Sequence, residues 1–148
     1  MGSKYFEDFA LGETFAIPAK TLKDAHFASF AEMTGDAHPI HYDDAYVKKT
    51  RFGKRVTHGL LVTAMTALGA SPLSSLVEDS MVAFLEQSSR FLLPVLIDDT
   101  ITPELEVTGL IAKAQTGIVQ LTSRVTNQRG ELVLEGMHAY LVKRRPHG

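Results

Sequence analysis

A carboxylate and an imidazole stand five positions apart in Thr34-Gly35-Asp36-Ala37-His38-Pro39-Ile40-His41, a stretch that regular helix cannot cover. Gly35 can take a positive φ and end a preceding helix, while Pro39 removes a backbone donor and biases His38 toward an extended conformation. From such a loop Asp36 and His41 can converge on one small ligand, a water for instance, which they could not do from opposite sides of a straight strand. The same residues also fit plain turn chemistry, since Asp after Gly is a common turn pair. Asp36, His38 and His41 are metal-ligand types too, and His26, His58 or His138 could supplement them. Their spacing argues against an ion, because no second histidine motif stands at a recognisable interval and Pro39 does not favour the one-face geometry of helical metal motifs. No metal is expected. A Ser–His–Asp hydrolase fits less well still: no Gly-x-Ser-x-Gly occurs, and neither Ser71 nor Ser74 has an activating context.

The chain that must position this loop has 148 residues, one domain by length, and its 45% hydrophobic content is ample for a core. A formal charge of −2 supplies no overall basic field, so nucleic acid is not the expected partner and a small molecule is. Absence of cysteine excludes disulfides, thiolate metal sites and a cysteine nucleophile, and fits a reducing, cytoplasmic setting. The start lacks an apolar leader, and Phe6 stands where a myristoylation signal following Met1-Gly2 would want Ser or Thr. The most apolar run, 59–70, is far shorter than the roughly 20 residues that cross a bilayer, so no membrane span is expected.

Thr21 and Asp24 form a plausible capping box, after which Ala25, Phe27, Ala28, Phe30, Ala31 and Thr34 fall at helical spacing until Gly35 stops them. The chemical loop therefore begins at a helix end. A second short helix is expected over 43–50, with acids early and Lys48 and Lys49 late. Residues 59–70 read as a buried core helix, apolar nearly all round. Beyond it the pattern predicts strands over 81–87, 90–95, 100–109, 117–127 and 131–143, the last two joined as a hairpin through Asn127-Gln128-Arg129-Gly130. Helices followed by consecutive strands argue for α+β, an antiparallel sheet wrapped on one buried helix.

With Gly35-Asp36, Pro39-Ile40-His41, the start Tyr5-Phe6-Glu7-Asp8-Phe9, the approach Phe52-Gly53-Lys54-Arg55-Val56-Thr57-His58-Gly59 and the strand Arg90-Phe91-Leu92-Leu93-Pro94-Val95, the chain resembles the MaoC-like, R-specific enoyl-CoA hydratases over most of its length. The resemblance implies a single hot-dog domain, a curved antiparallel sheet around a central apolar helix, and a homodimer or higher homo-oligomer whose paired subunits form the acyl pocket. It implies reversible hydration of a 2-enoyl-CoA to an R-3-hydroxyacyl-CoA, with Asp36 and His41 holding one water. It implies no cofactor, coenzyme A being part of the substrate.

Hydration needs a base to activate water for attack at C3 and a proton donor for the enolate at C2, so an Asp–His pair on one water suits it. Such a pair typically contributes 10²–10⁴ in rate, and an electrostatic partner for the thioester oxygen is also required. Gly59, opening the buried helix with unpaired N–H groups, is the candidate. His58 is either a substrate contact or a polar residue packed at the helix entry. Leu61, Met65, Phe84 and Phe91 are candidates for the acyl lining by size and location. Lys48, Lys49, Arg51, Lys54, Arg55 and Arg90 are candidates for phosphate contact or charge steering. Lys143-Arg144-Arg145 reads as a solubilising tail. The chain departs from the family at His38, where Asn is usual, at Met33 and at Val47; His38 either keeps the loop hydrogen bonding of Asn or crowds the pocket. A hot-dog thioesterase and a non-catalytic acyl-thioester-binding subunit are the alternatives, because fold does not fix reaction.

Overall fold

The computed structural model describes residues 3–146; Met1 and Gly2, on which the myristoylation reading partly rests, lie outside them. Six antiparallel strands are described: β1 (Thr14–Ala16), β2 (Lys20–Thr21), β3 (Met81–Phe91), β4 (Thr100–Ala112), β5 (Thr116–Thr126) and β6 (Leu132–Lys143). The main sheet runs in the order β1-β4-β5-β6-β3, with β2 pairing separately onto β4. Four helices accompany it: α1 (Asp24–Thr34), α2 (Asp44–Lys48), α3 (Gly59–Ala64) and α4 (Leu73–Leu76). The fold is α+β with a curved antiparallel sheet, as expected.

Strand β5 alternates buried and part-buried residues along its length, so one face of the sheet is committed to the core. Its hairpin with β6 turns at Asn127, whose N–H donates to the Glu131 carbonyl at 3.0 Å, as the sequence pattern predicts. Register shifts interrupt the β3–β6 and β4–β5 ladders, and each such bulge bends its strand and adds curvature. The expected strands 81–87 and 90–95 are one element: β3 runs through both as far as Phe91 and then leaves the ladder before Pro94, which has no N–H to offer it.

Two helical expectations are corrected. The capping box does not form at Thr21, which lies in β2 opposite Thr100 with their hydroxyls 2.7 Å apart. Helix α1 starts at Asp24 instead, and the Lys23 N–H donates to His26 Nδ1 at 2.9 Å. The ladder to β4 claims Thr21 before a cap can use it. Residues 59–70 are not one buried helix: α3 stops at Ala64, the N–H groups of Thr66 and Ala67 reach back only three residues, and a separate 3₁₀ turn covers Leu68–Ala70. Thr66 Oγ1 donates to the Thr63 carbonyl at 2.6 Å, a local bond that competes with helix continuation. Within α3 only Leu61 and Val62 are buried, and Leu60 is 69% exposed.

The sheet is therefore filled by three helices, α1, α3 and α4, rather than one. Phe27 and Phe30 of α1 join Leu61 and Val62 of α3 over Val125, Val133 and Leu134, while Phe15, Leu73, Leu105, Val107 and Leu121 fill the other end. The basic tail is not loose: Arg144 pairs with Glu7 at 3.1 Å, and Arg145 pairs with Asp8, so the end of β6 is tied to the 3₁₀ turn at Phe6–Asp8.

Phe27 is wholly buried and carries α1 onto the sheet. Phe27→Ala is expected to destabilise the protein by about 3–5 kcal/mol, the range for emptying a buried aromatic site. Urea denaturation of the two proteins measures it; a loss under 1 kcal/mol would show that α1 does not depend on this anchor.

Candidate active site

Helix α1 ends where Gly35 takes φ 78°, a left-handed C-cap closed by its N–H on the Ala31 carbonyl. The chain then enters the loop. The Asp36 N–H donates to Thr34 Oγ1 at 3.2 Å, and the His38 N–H approaches Asp36 Oδ1 at 3.4 Å. His38 caps the following 3₁₀ turn, Pro39–His41, by accepting from the Ile40 N–H through Nδ1 at 3.1 Å. This is the loop hydrogen bonding an Asn would supply, so His38 substitutes for it with a ring that lies edge-on to Tyr46. Val47 is buried on α2, capped by Asp43, where the sequence expects a short helix.

His41 ends the turn with its Nδ1 2.6 Å from the Val56 carbonyl. A carbonyl only accepts, so Nδ1 carries the proton and Nε2 keeps its lone pair. That Nε2 stands 4.0 Å from Asp36 Oδ1, with the carboxylate half-exposed and the imidazole nearly buried. The gap is too long for a direct hydrogen bond. A water about 2.8 Å from each acceptor would bridge them at roughly a right angle, donating one hydrogen to each. The structure thus brings Asp36 and His41 together as the loop pattern requires.

His58 lies under this pair, 2% exposed, its ring stacked on that of His41 with centroids 3.8 Å apart and planes 21° apart. Phe27 and Phe30 close the sides of His58. Its Nε2 is 2.8 Å from the Tyr42 hydroxyl and 3.3 Å from the Asp36 carbonyl, and the Tyr42 hydroxyl also lies within 3.1 Å of the Phe27 and Asp36 carbonyls. Tyr42 donates to a carbonyl and accepts from His58 Nε2–H, which leaves His58 Nδ1 bare and without a partner. Burial, then the neighbouring His41, holds the His58 imidazole below its ordinary value of 6.5, so it stays neutral. Burial and then the Asp36 charge raise the Tyr42 phenol above 10.0. Tyr42 is absent from the sequence expectations; it follows His41 directly and no spacing marks it.

Asp36, His41 and His58 each place one ligand-type atom within 4.8 Å of the others. The two rings are nearly parallel, so their in-plane lone pairs do not converge, and His58 Nε2–H is engaged with Tyr42. This geometry suits a shared water far better than a shared ion.

Gly59 opens α3 next to this stack and lines a cavity of about 350 Å³ with Arg51, Val56, Thr57, Val62 and Phe91. The first turn bonds from Leu61 onward to the His58 carbonyl, so the N–H groups of Gly59 and Leu60 are its free donors. A Cβ at Gly59 would lie 3.2 Å from the Phe91 ring. Six residues of helix add little dipole, so the N–H itself is what Gly59 offers.

The remaining sequence candidates do not gather here. Leu61 is buried in the core, Met65 lines a separate cavity by Ile17 and Pro18, and Phe84 lines another with His138 and Tyr140. Arg90 faces a surface depression beside Arg124 and Glu135, and Lys54 sits near Asp98 and Arg129. Arg55 is not free for a phosphate: Nη1 donates to Asp24 Oδ1 at 2.7 Å and reaches the His41 carbonyl at 3.5 Å, while Nε makes an ion-pair contact with Asp44 at 3.4 Å without hydrogen-bond alignment. It braces the loop. Arg51, over the Phe52 ring at 4.7 Å, is the cation at the cavity.

A curved antiparallel sheet packed by short helices is the architecture of a hot-dog protein, and the Asp–His pair stands at the end of its α1. A double hot-dog protein from Mycobacterium tuberculosis, 24% identical, superposes with a TM-score of 0.83 over 99% of this chain and 46% of that one, and shows the fold alone. The chain belongs to the MaoC like domain family, which matches residues 8–129. It is 30% identical to an (R)-specific enoyl-CoA hydratase of Rhodospirillum rubrum, covering 95% of this chain and 93% of the relative. It is 31% identical to a 3-hydroxybutyryl-CoA dehydratase of Methylorubrum extorquens, covering 89% and 80%. A solved monoamine oxidase regulatory protein from Archaeoglobus, 34% identical, superposes with a TM-score of 0.92 over 99% of this chain and 98% of that one.

Two buried histidines, His58 here and His138 on β6, are held below 6.5 by burial. The unfolded chain takes up protons at about 6.5 where the folded one does not, so their contribution is complete above 6.5 and is lost as pH falls below it. The carboxylates shifted downward, Glu7, Asp8, Asp98 and Glu131, titrate beneath this window. The melting temperature is expected to fall between pH 7 and pH 5, each histidine weakening the fold by at most about 1.4 kcal/mol per pH unit. A flat profile across that interval would contradict the neutral, buried assignment of both rings.

Proposed function

We propose that this protein is a hydro-lyase that reversibly adds water across the 2,3 double bond of an enoyl-CoA, giving the R-3-hydroxyacyl-CoA. The observation that carries this reading is the 4.0 Å gap between Asp36 Oδ1 and the unprotonated Nε2 of His41, the span of one shared water. That water donates one hydrogen to each group, and its oxygen attacks C3 as one of the two takes a proton. The double-bond electrons move to the thioester oxygen, which the Gly59 N–H receives, and the captured proton returns to C2 from the same face. Addition is therefore syn. The names of the Rhodospirillum and Methylorubrum relatives support the R hand and the coenzyme A thioester.

No cofactor enters these steps. Loss of one oxyanion donor typically costs roughly 3 kcal/mol, comparable to either acid–base group, so Gly59 carries weight beside the pair. Arg51, with Lys48 and Lys49 nearby in sequence, supplies the positive charge for the phosphates of coenzyme A. We place the reaction in the cytoplasm, in keeping with a chain that has no cysteine; among the described residues no helix is long and apolar enough to cross a membrane.

The active species is a homodimer. Strand β3 is one edge of the sheet, and its Phe84 and Leu85 are 55% and 49% exposed, an apolar edge of the kind proteins seldom leave open. Light scattering on a sizing column should give twice the 16.2 kDa chain mass, and Leu85→Lys should shift it to the single chain. A monomeric wild type at micromolar concentration would remove the dimer from this reading.

Crotonyl-CoA should lose its enoyl absorbance with formation of the R-3-hydroxy thioester and no free thiol. Asp36→Asn and His41→Ala should each lower kcat by about 10²-fold or more with the fold retained. Thiol release would make the protein a thioesterase instead, and tight acyl-CoA binding without turnover would make it a binding subunit.

A further inference from the structure

One buried ring touches both members of the acid–base pair. The face of His58 lies on the ring of His41, with centroids 3.8 Å apart, and its edge meets the main chain of Asp36, Nε2 standing 3.3 Å from that carbonyl. Phe27 and Phe30 also pack against the ring. The next residue in the chain is Gly59, and the His58 carbonyl accepts from the N–H groups of Leu61 and Val62 at 3.0 and 3.2 Å. That carbonyl and the Gly59 N–H belong to one peptide plane, so holding the first aims the second. The acid, the imidazole and the oxyanion donor of the proposed reaction are thus all referred to His58.

The place of the ring's proton follows from its surroundings. Burial, then His41, holds the imidazole below its ordinary 6.5, so near neutrality it carries one N–H. Nε2 faces two oxygens, the Tyr42 hydroxyl at 2.8 Å and the Asp36 carbonyl at 3.3 Å, and a carbonyl only accepts. Nδ1 is buried with no partner. A proton on Nδ1 would strand a buried donor and set the Nε2 lone pair against the carbonyl, so the proton is on Nε2. Tyr42 accepts from that N–H and donates its own hydrogen to the Phe27 carbonyl at 3.0 Å or the Asp36 carbonyl at 3.1 Å. The bare Nδ1 is out of reach of water, so His58 is not a second base, and with 2% of its surface exposed it is not a substrate contact.

The 4.0 Å gap between Asp36 Oδ1 and His41 Nε2 spans one water, and an error of about 1 Å in placing a catalytic group can cost about 10²-fold in rate. We infer that His58 is a positioning residue for this reaction: through its Nε2–H on Tyr42 and Asp36, and its face on His41, it sets the acid–base pair against the Gly59 N–H and exchanges no proton itself. The inference rests on the hydratase reading. Tyr42 is its working partner, since the phenol joins the His58 edge to carbonyls of α1 and of the loop.

The test uses two amides that differ in reach. The side-chain nitrogen of Gln lies as many bonds from Cα as His Nε2, and that of Asn as many as Nδ1. With crotonyl-CoA, His58→Asn should lower kcat by about 10²-fold with KM within about threefold of the wild type, whereas His58→Gln, which returns a donor to Tyr42, should stay within about tenfold of the wild-type kcat. Tyr42→Phe should lower kcat by about tenfold, the size of one lost hydrogen bond. Melting curves ensure that each variant is compared as folded protein. Nitrogen-15 NMR of the wild-type imidazoles needs no variant, and His58 should show its proton on Nε2 at pH 7. A proton on Nδ1, equal losses in the Asn and Gln variants, or a raised KM with unchanged kcat would overturn this inference and leave the hydratase reading standing. Absence of turnover of every enoyl-CoA by the wild type would overturn the hydratase reading and this inference with it.

Discussion

The hydrogen bond from His41 Nδ1 to the Val56 carbonyl, 2.6 Å long, is the constraint on which the candidate site depends. Its net worth in stability is only about 1 kcal/mol, but it decides which nitrogen carries the proton. With Nδ1 committed, Nε2 is a lone pair aimed across the gap to Asp36. The same two segments are joined again in the other direction, where the Val56 N–H donates to the Ile40 carbonyl at 3.1 Å, and Val56 itself bridges to Leu96. The loop is therefore fastened to the segment that leads into α3, which fixes Asp36 and His41 relative to Gly59. Arg55 strengthens this by holding Asp24 at the start of α1 and reaching the His41 carbonyl.

Beneath the pair, buried Phe27, Phe30 and His58 and part-buried Tyr42 keep the pieces aligned without adding charge. A protonated His58, with its ring 3.8 Å from that of His41, would disfavour the positive charge that His41 would acquire by taking a proton from water in the proposed reaction. Burial removes that competition by keeping His58 neutral. Tyr42 then secures the loop from below, because its hydroxyl meets carbonyls on both sides of the Gly35 cap, those of Phe27 and Asp36.

Much of this was legible in the residues. Gly35 and Pro39 disclosed the loop, the alternation of 117–127 and 131–143 disclosed the hairpin, and the Asp36 and His41 spacing pointed to a shared ligand. What was not legible depended on partners remote in sequence. Thr21 looks like a cap until the ladder to Thr100 is known, and Arg55 looks like a surface cation until Asp24 and Asp44 are found beside it. Val56 contributes through its carbonyl, which every residue possesses, so no side-chain pattern could have singled it out. Leu61, Met65, Phe84 and Arg90 were chosen for size or charge near a site, and neither property tells which side of a sheet or helix a residue takes.

The break in α3 shows how one such failure carries chemistry. Residues 59–70 are apolar enough to continue as helix, and Thr66 is the residue that diverts them, because its hydroxyl has two buried partners: the Thr63 carbonyl and the imidazole of His138. A continuing helix would leave Thr66 on its four-residue spacing and would give the Thr63 carbonyl to Ala67. Instead the chain tightens, Ala67 reaches only to Ala64, and Ala70 to Ala67 in the 3₁₀ turn that follows. His138 could not remain buried there without Thr66 and Tyr140 to satisfy both its nitrogens. The shortness of the helix and the burial of His138 behind it are thus consequences of the same hydrogen-bonded relay.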